Sequence, residues 1–521
     1  MEQNKKILSN IFYKLILILF GFMMLIILVM NIILSQNIDY SCRNGVTVSN
    51  GILLLYSLLV LLAFGTIYNV FFRRYVNRLS KRECNILLVV GCIILFILQL
   101  YIAYNIYFLP GWDAGILRDA STYFANDHIL DTQNIYYSYL AQYPNNVFLT
   151  FIFTIIKQVI MFLGNDNIDF SLVILSVLLL NLSAWFITKC AAIIFKDRYY
   201  SILTLFIYSI YVALSPWMVI PYSDTCSIIF TIMVLYFYLN RKNMNPYLAY
   251  GLIFSLSLIG YLIKPTCIIV LIAIVVIESC KFIFYNNREK QKCSKYLLVL
   301  LSGMIIFVSL RSLSYNYLGY KRSEANEFPF THFLMMGMNP VTRGVYYGED
   351  VAYTSSFIGK DKKINANLKM VKNRLNDYGI SGYFKLLSEK LMTNYNDGTF
   401  AWGVEGNFYA EILKLPNKTA AKTLRDIYYS NGKYHSGYEV YQQAIWMMIL
   451  FFVLFSVKRL ANDIEKDLYV IVLTVIGITL FLLLFESRAR YLFLYLPYYI
   501  LLAVVGIQCF IKFMHMKLVS R

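Results

Sequence analysis

Long apolar runs separated by short polar segments organise this chain from end to end. Residues 11–35, 51–71 and 84–108 are each long enough to cross about 30 Å of hydrocarbon as a helix, and similar runs recur to the C-terminus. Lysine and arginine gather in alternate connections: Lys5 and Lys6, then Arg73, Arg74, Arg78, Lys81 and Arg82, then Lys196 and Arg198, Arg241 and Lys242, the stretch 281–295, Lys458 and Arg459, and 512–521. Under the positive-inside bias these face the cytoplasm and take both termini with them. The pattern predicts an all-α polytopic membrane protein with about twelve transmembrane helices. The run 147–163 is shorter, carries Lys157 and leads into a loop, 164–169, with only acidic charge. It is expected to be a re-entrant or outward-lying helix, thirteen crossings being the alternative if it spans. The first run is too long for a cleavable signal and is expected to remain as an anchor.

This alternation divides the chain into an N-terminal hairpin with its basic loop (1–83), a transmembrane core (84–313) with an outer loop at 109–146, a large outer loop or small domain (314–440) and C-terminal transmembrane helices (441–521). The large loop has mixed charge and many tyrosines, and reads as a small helical or mixed domain lying over the outer ends of the spans.

Composition agrees with the pattern. Of 521 residues, 59% are hydrophobic and 15% charged, which places the chain in the membrane class rather than among soluble multidomain proteins. The net charge of +18 sits in the cytoplasmic connections and has no nucleic-acid-binding motif around it, so no nucleic-acid partner is expected. Nine cysteines lie mostly inside apolar runs without a CxxC pair, which argues against a zinc site or a disulfide framework. Cys42 is the one expected to face outward.

The candidate chemistry collects on the outer face. The loop 111–146 carries Asp113, Asp119, Asp127 and Asp131 with no lysine and only Arg118, and the alternation brings Asp224, Lys264, Arg343, Glu405, Glu486, Arg488 and Arg490 to the same side. Asp113, at the start of a short helix reaching about residue 124, serves equally as an N-cap or a base. Asp119 is six positions on, roughly 120° round the helix, and beside Arg118 reads as a salt-bridged or orienting group. Tyr143-Pro144-Asn145-Asn146 supplies a turn and a cap, and Asp224 is placed to cap the span that follows it. Lys264-Pro265 breaks the run 251–285, so the lysine either snorkels or neutralises a lipid phosphate. Glu486-Ser487-Arg488-Ala489-Arg490 is a short outward turn that carries two arginines against the charge rule. That suits a bound anion, with pairing to Glu486 as the alternative. Residues 394–407 combine Asp397, Trp402, Glu405 and three glycines, and suit either a sugar-binding surface or an ordinary turn-rich loop.

Taken in order, Asp113, Tyr143-Pro144-Asn145-Asn146, Asp224, Lys264-Pro265 and Arg490-Tyr491 resemble class C (GT-C) glycosyltransferases. The likeness is to bacterial members related to protein O-mannosyltransferases and aminoarabinose transferases, whose corresponding loop often reads His-Pro-Pro-Leu or Tyr-Pro-Pro. It covers residues 84–513 and leaves the hairpin 11–72 as an addition. The resemblance implies a GT-C-like bundle that moves a sugar from a polyprenyl-phosphate donor to an acceptor, whether envelope polymer, lipid or protein, at the outer face of the cell membrane. It implies inversion with Asp113 as general base, a phosphate held by Lys264, Arg488 and Arg490, and substrate contacts from Asp119, Tyr143, Asn145, Asn146, Asp224 and Glu486. Ala114 stands where many relatives carry a second acid, which weakens a paired-carboxylate metal site and leaves a divalent metal open. No glycine-rich nucleotide loop is present, as a lipid-linked donor requires none. The competing readings are a polysaccharide polymerase using lipid-linked sugars and a secondary transporter or lipid flippase, the last of which would bury charges near mid-bilayer.

Overall fold

Large apolar side chains are exposed along many of the helices, around a core that is itself mostly apolar and encloses some polar side chains. On the third helix Ile93, Ile94 and Ile97 are exposed while Gln99 and Asn105 are buried, and Gln99 donates to the Ala213 carbonyl at 2.9 Å. The computed structural model describes residues 2–34, 48–126, 134–165, 167–285, 293–414, 418–462 and 466–519; Cys42, Asp127 and Asp131 lie outside them.

The order begins with α1 (Glu2–Ile33), α2 (Asn50–Arg78) and α3 (Lys81–Ile106), followed by a short strand β1 (Leu109–Pro110). Ser80 opens α3 with a capping box: its hydroxyl accepts from the Glu83 amide, and the Glu83 carboxylate accepts from the Ser80 amide. Then come α4 (Trp112–Ala125), α5 (Ile135–Gln142), α6 (Val147–Phe162), α7 (Ile168–Phe195) and α8 (Arg198–Tyr208), which continues as a π turn over Ser209–Ala213. Helices α9 (Ser223–Asn240), α10 (Pro246–Ile263), α11 (Ile268–Tyr285) and α12 (Cys293–Tyr317) complete the core. The large loop is helical: α13 (Phe330–Met336), α14 (Gly348–Ser355), α15 (Lys360–Tyr395), the strand β2 (Tyr409–Glu411) and α16 (Lys418–Tyr428). The chain closes with α17 (His435–Asn462), α18 (Tyr469–Leu484) and α19 (Leu496–Val519). Proline starts each of the 3-10 turns at residues 144, 216 and 265, where its missing N–H costs no hydrogen bond. Helices α17 and α19 approach closely at Gly506, where a Cβ would stand 1.8 Å from the Phe452 carbonyl oxygen.

Among the described residues, 10 helices are long and apolar enough to cross a membrane, and Pro144–Phe162 is one of them. Its surroundings place both its ends at one end of the bundle. Asn146 sits beside the start of α4, bonded to Tyr139, while Phe170 in the first turn of α7 packs on Tyr107 just beyond α3, with ring centroids 5.3 Å apart. Lys157 lies back against α4 and α7, donating to Asp169 at 2.6 Å and to the Arg118 carbonyl at 2.9 Å. The chain therefore enters α7 from the end at which it left α3, as the re-entrant or outward-lying expectation required. Among the described residues the candidate spans number 10, this helix included, against the twelve expected.

Ion pairs mark the opposite, basic end. Arg241 reaches Asp467 at 2.8 Å and Glu278 at 3.2 Å, and Lys281 pairs with Glu278 at 2.8 Å, tying together the ends of α9, α11 and α18. The large loop packs over the other end with its own polar core. Arg374 holds Asp350 at 2.6 and 3.0 Å and donates to the Met335 carbonyl, joining α13, α14 and α15. Strands β1 and β2 pair antiparallel, Leu109 opposite Glu411, and so fasten the large loop to the connection after α3.

Candidate functional site

Where β1 gives way to α4, the backbone leaves room for only one residue type. Gly111 donates to the Asn407 carbonyl at 3.1 Å, and a Cβ on it would fall 2.2 Å from that oxygen. The next residue, Trp112, takes a positive φ of 42°, a conformation that costs a non-glycine residue about 1–3 kcal/mol and is held only by its surroundings. Those surroundings are aromatic and cationic: the indole meets Tyr222 edge-on at 4.9 Å and lies under the Arg490 guanidinium at 4.4 Å.

This arrangement sets Asp113 as the second residue of α4. Gly111, not Asp113, is the N-cap, so the carboxylate is free of the capping role and turns to the cavity. Tyr222 donates its hydroxyl to Asp113 Oδ2 at 3.2 Å, and the Tyr139 hydroxyl stands near enough to favour the charged carboxylate. Tyr139 in turn accepts from Asn146 Nδ2 at 2.8 Å, and Asn145 donates to Asn146 Oδ1 at 3.2 Å. The Asn-Asn pair therefore acts through side chains, and Asn146 makes no cap bond to α6. Burial raises the Asp113 pKa, opposed by the charge of Arg490 and by the two tyrosine hydroxyls. Burial likewise pushes both tyrosines far above the usual phenol range, so they remain proton donors.

A second group gathers around the turn between α18 and α19. Lys264 is buried and pairs with Asp224 at 2.5 Å. Asp224 is in the first turn of α9, behind the cavity wall, and Tyr222 takes the N-cap position that sequence suggested for it. Arg490 lies 3.3 Å from Glu405 and 3.9 Å from Asp224, and Arg488 lies 3.7 Å from Glu405. Pairing with Glu486 is thus replaced by pairing with Glu405 from the large loop. Burial raises the Glu486 pKa, offset by Arg488 and Arg490, and lowers that of Lys264, offset by Asp224. Arg490 Nε faces Glu405 Oε1 and Arg490 Nη1 faces Asp224 Oδ2 without a well-aligned hydrogen bond, so these buried contacts are held by charge.

These groups share one cavity of about 910 Å³. Asp113, Tyr143, Asn145, Asn146, Lys264, Glu486, Arg488 and Arg490 all line it, as do Tyr139, Tyr222 and Glu405. Asp119 does not. Turned away around α4, it pairs with Arg118 at 2.8 Å and leaves its side chain 47% exposed, which removes it from the substrate contacts. Trp402 is also excluded as a sugar platform, since it is buried among Phe108, Trp217 and Phe408, and Asp397 is spent on the amides of Thr399 and Ala401. Arg343 pairs with Glu389 within the large loop, away from the cavity lining. Tyr139 and Tyr222 carry no local sequence signal that would have picked them out.

Among the described residues, no three His, Cys, Asp or Glu side chains gather as metal ligands. Beside Asp113 stand the phenols of Tyr139 and Tyr222, with Glu405 near enough to act on it through charge.

The family described as "Conserved hypothetical integral membrane protein" matches residues 1–509 of the chain. None of the curated proteins matches it.

Proposed function

The chain belongs to the family of conserved hypothetical integral membrane proteins, and on that premise we propose that it is a glycosyltransferase working at the outer face of the cell membrane with both termini in the cytoplasm. Its donor is a sugar on a polyprenyl phosphate, and its acceptor carries a hydroxyl. The observation that carries this reading is Asp113, a carboxylate of raised pKa held by two phenols in a cavity that also receives arginines.

The chemistry follows from those groups. The acceptor oxygen attacks the anomeric carbon, its proton passes to Asp113, and the bond from that carbon to the phosphate oxygen breaks with its electron pair leaving on the phosphate. A raised pKa brings the carboxylate nearer to a hydroxyl in proton affinity, which strengthens it as a base. Tyr222 and Tyr139 hold its orientation, and Trp112 fixes Arg490 from below. Fixed cations oppose the charge that develops on the leaving phosphate. A single displacement of this kind inverts the anomeric centre. The wall of the cavity toward α10 and α12, with Tyr261, Leu262 and Phe307, supports entry of a lipid chain from the bilayer side.

The test uses radiolabelled polyprenyl-phosphate sugars and membrane acceptors with the full chain in liposomes. Transfer by the wild type, lost in Asp113→Asn with donor binding retained, supports the reading. Movement of labelled lipid or solute across the bilayer without any transfer would instead make the protein a transporter.

A further inference from the structure

Charge accounting around the cavity separates one cation from the rest. Lys264, Arg311, Arg322, Arg488 and Arg490 all line it. Lys264 has Asp224 at 2.5 Å, Arg322 has Glu327 at 2.6 Å, Arg488 has Glu405 at 3.7 Å and Arg490 has Glu405 at 3.3 Å. Each of these cations has a carboxylate beside it, Lys264, Arg488 and Arg490 sharing Asp224 and Glu405. Among the described residues, Arg311 has no carboxylate within ion-pair distance. Its Nε donates to the Tyr315 hydroxyl at 3.3 Å, and its guanidinium carbon lies 5.2 Å from that ring.

Its position makes the missing counterion informative. Arg311 lies on α12 nearly two turns before the helix ends, half-buried, in a helix whose other faces expose Ile305, Val308 and Leu313. An arginine near a span's end ordinarily snorkels to water, whereas this one lines the cavity beside Ser314, Phe307 and Tyr261. A guanidinium has five N–H donors in a fixed fork, and only one is engaged by Tyr315, which leaves a planar face for the oxygens of an anion.

We propose that Arg311 binds the phosphate group of the ligand that enters this cavity, because among the described lysines and arginines of the lining it is the one with no carboxylate within ion-pair distance. The inference rests on the lipid-phosphate reading above and names the residue that holds the phosphate. A lipid is the occupant the apolar mouth favours; a free phosphate would share the same chemistry.

Binding of undecaprenyl phosphate to the full chain in zwitterionic nanodiscs tests it, with undecaprenol and inorganic phosphate as comparison arms. Arg311→Gln is expected to weaken undecaprenyl phosphate binding at least tenfold. Arg311→Lys should recover part of the loss, and Tyr315→Phe, which keeps the charge and controls for folding, most of the wild-type affinity. Weak binding of undecaprenol and competition by inorganic phosphate only at much higher concentration would assign the site to a lipid phosphate. Competition at equal concentration would support the same anion site with free phosphate as its occupant. Equal affinity of wild type and a monodisperse Arg311→Gln overturns the inference. Transfer activity lost in Asp113→Asn would still leave the transferase reading standing in that case.

Discussion

Tyr222 donates its hydroxyl to Asp113 across 3.2 Å although the two residues are 109 positions apart in the chain. Three helices and the re-entrant α6 separate them in sequence, yet both line one cavity, each at the start of a helix.

That bond sets a pH dependence. Burial raises the Asp113 pKa and the tyrosine hydroxyls pull it back down. Tyr222→Phe or Tyr139→Phe removes a donor to the charged form, so the pKa rises further. The acidic limb of transfer rate against pH is expected to move to higher pH in both variants, with the alkaline plateau largely kept. A limb that stays in place would show that Asp113 is not the titrating base.

The same carboxylate is a cost to stability. A group whose pKa is raised on folding stabilises the fold below its unfolded pKa, and that contribution is lost as pH rises through the folded value. Asp113→Asn should therefore melt higher than wild type at neutral and alkaline pH while losing transfer. The gap should close in acid, where both forms are uncharged. Thermal melts of the two proteins across pH would check it, and a lower melting temperature for the variant at neutral pH would contradict the sign.

Lys264 and Asp224 form a buried pair, for which removal of one partner costs about 3–5 kcal/mol because the other charge is left uncompensated. Lys264→Met is expected to show a loss of that order and Asp224→Asn a smaller one, because deprotonation is open to a buried lysine. The double variant Asp224→Asn with Lys264→Met should recover much of the loss. A double variant no more stable than the worse single would mean that the pair serves packing rather than charge balance.

Gly111→Ala places a methyl 2.2 Å from the Asn407 carbonyl oxygen. Relief requires β1 to part from the large loop, with a cost of about 1–3 kcal/mol typical of overpacking. Transfer should fall more steeply than stability, because Trp112 and Asp113 are the next two residues. Parallel melting and transfer measurements would separate the effects, and equal activity at normal yield would show that the turn tolerates the shift.

What the sequence made legible followed from lipid. Hydrophobic runs and the placement of basic residues obey the bilayer, which acts on every span alike, and even the anomalous α6 revealed itself through Lys157 and its acidic exit loop. The face of the site was legible for the same reason, because unusual charges in the turns opposite the basic loops share an end of the bundle. Contacts within that face were not. The family resemblance places Asp119 among the substrate contacts, whereas helix geometry turns it toward Arg118. The pairing of Arg490 with Glu405 depends on how the large loop folds back, which no local pattern encodes. Tyr139 and Tyr222 are two of 45 tyrosines, so residue type alone could not select them. Arg311 stands near the end of an apolar run, where an arginine normally needs no explanation.

The two-strand ladder between β1 and β2 has a consequence for biosynthesis. Leu109 emerges long before its partner Glu411, an interval of roughly 15–60 s at ordinary rates of translation. During that time the loop bearing Asp113 lacks the strand that fixes Gly111 and the carboxylate that balances Arg490. Assembly of the cavity is thus a late event: every span up to α12 and most of the large loop must be made before the first loop can take this shape.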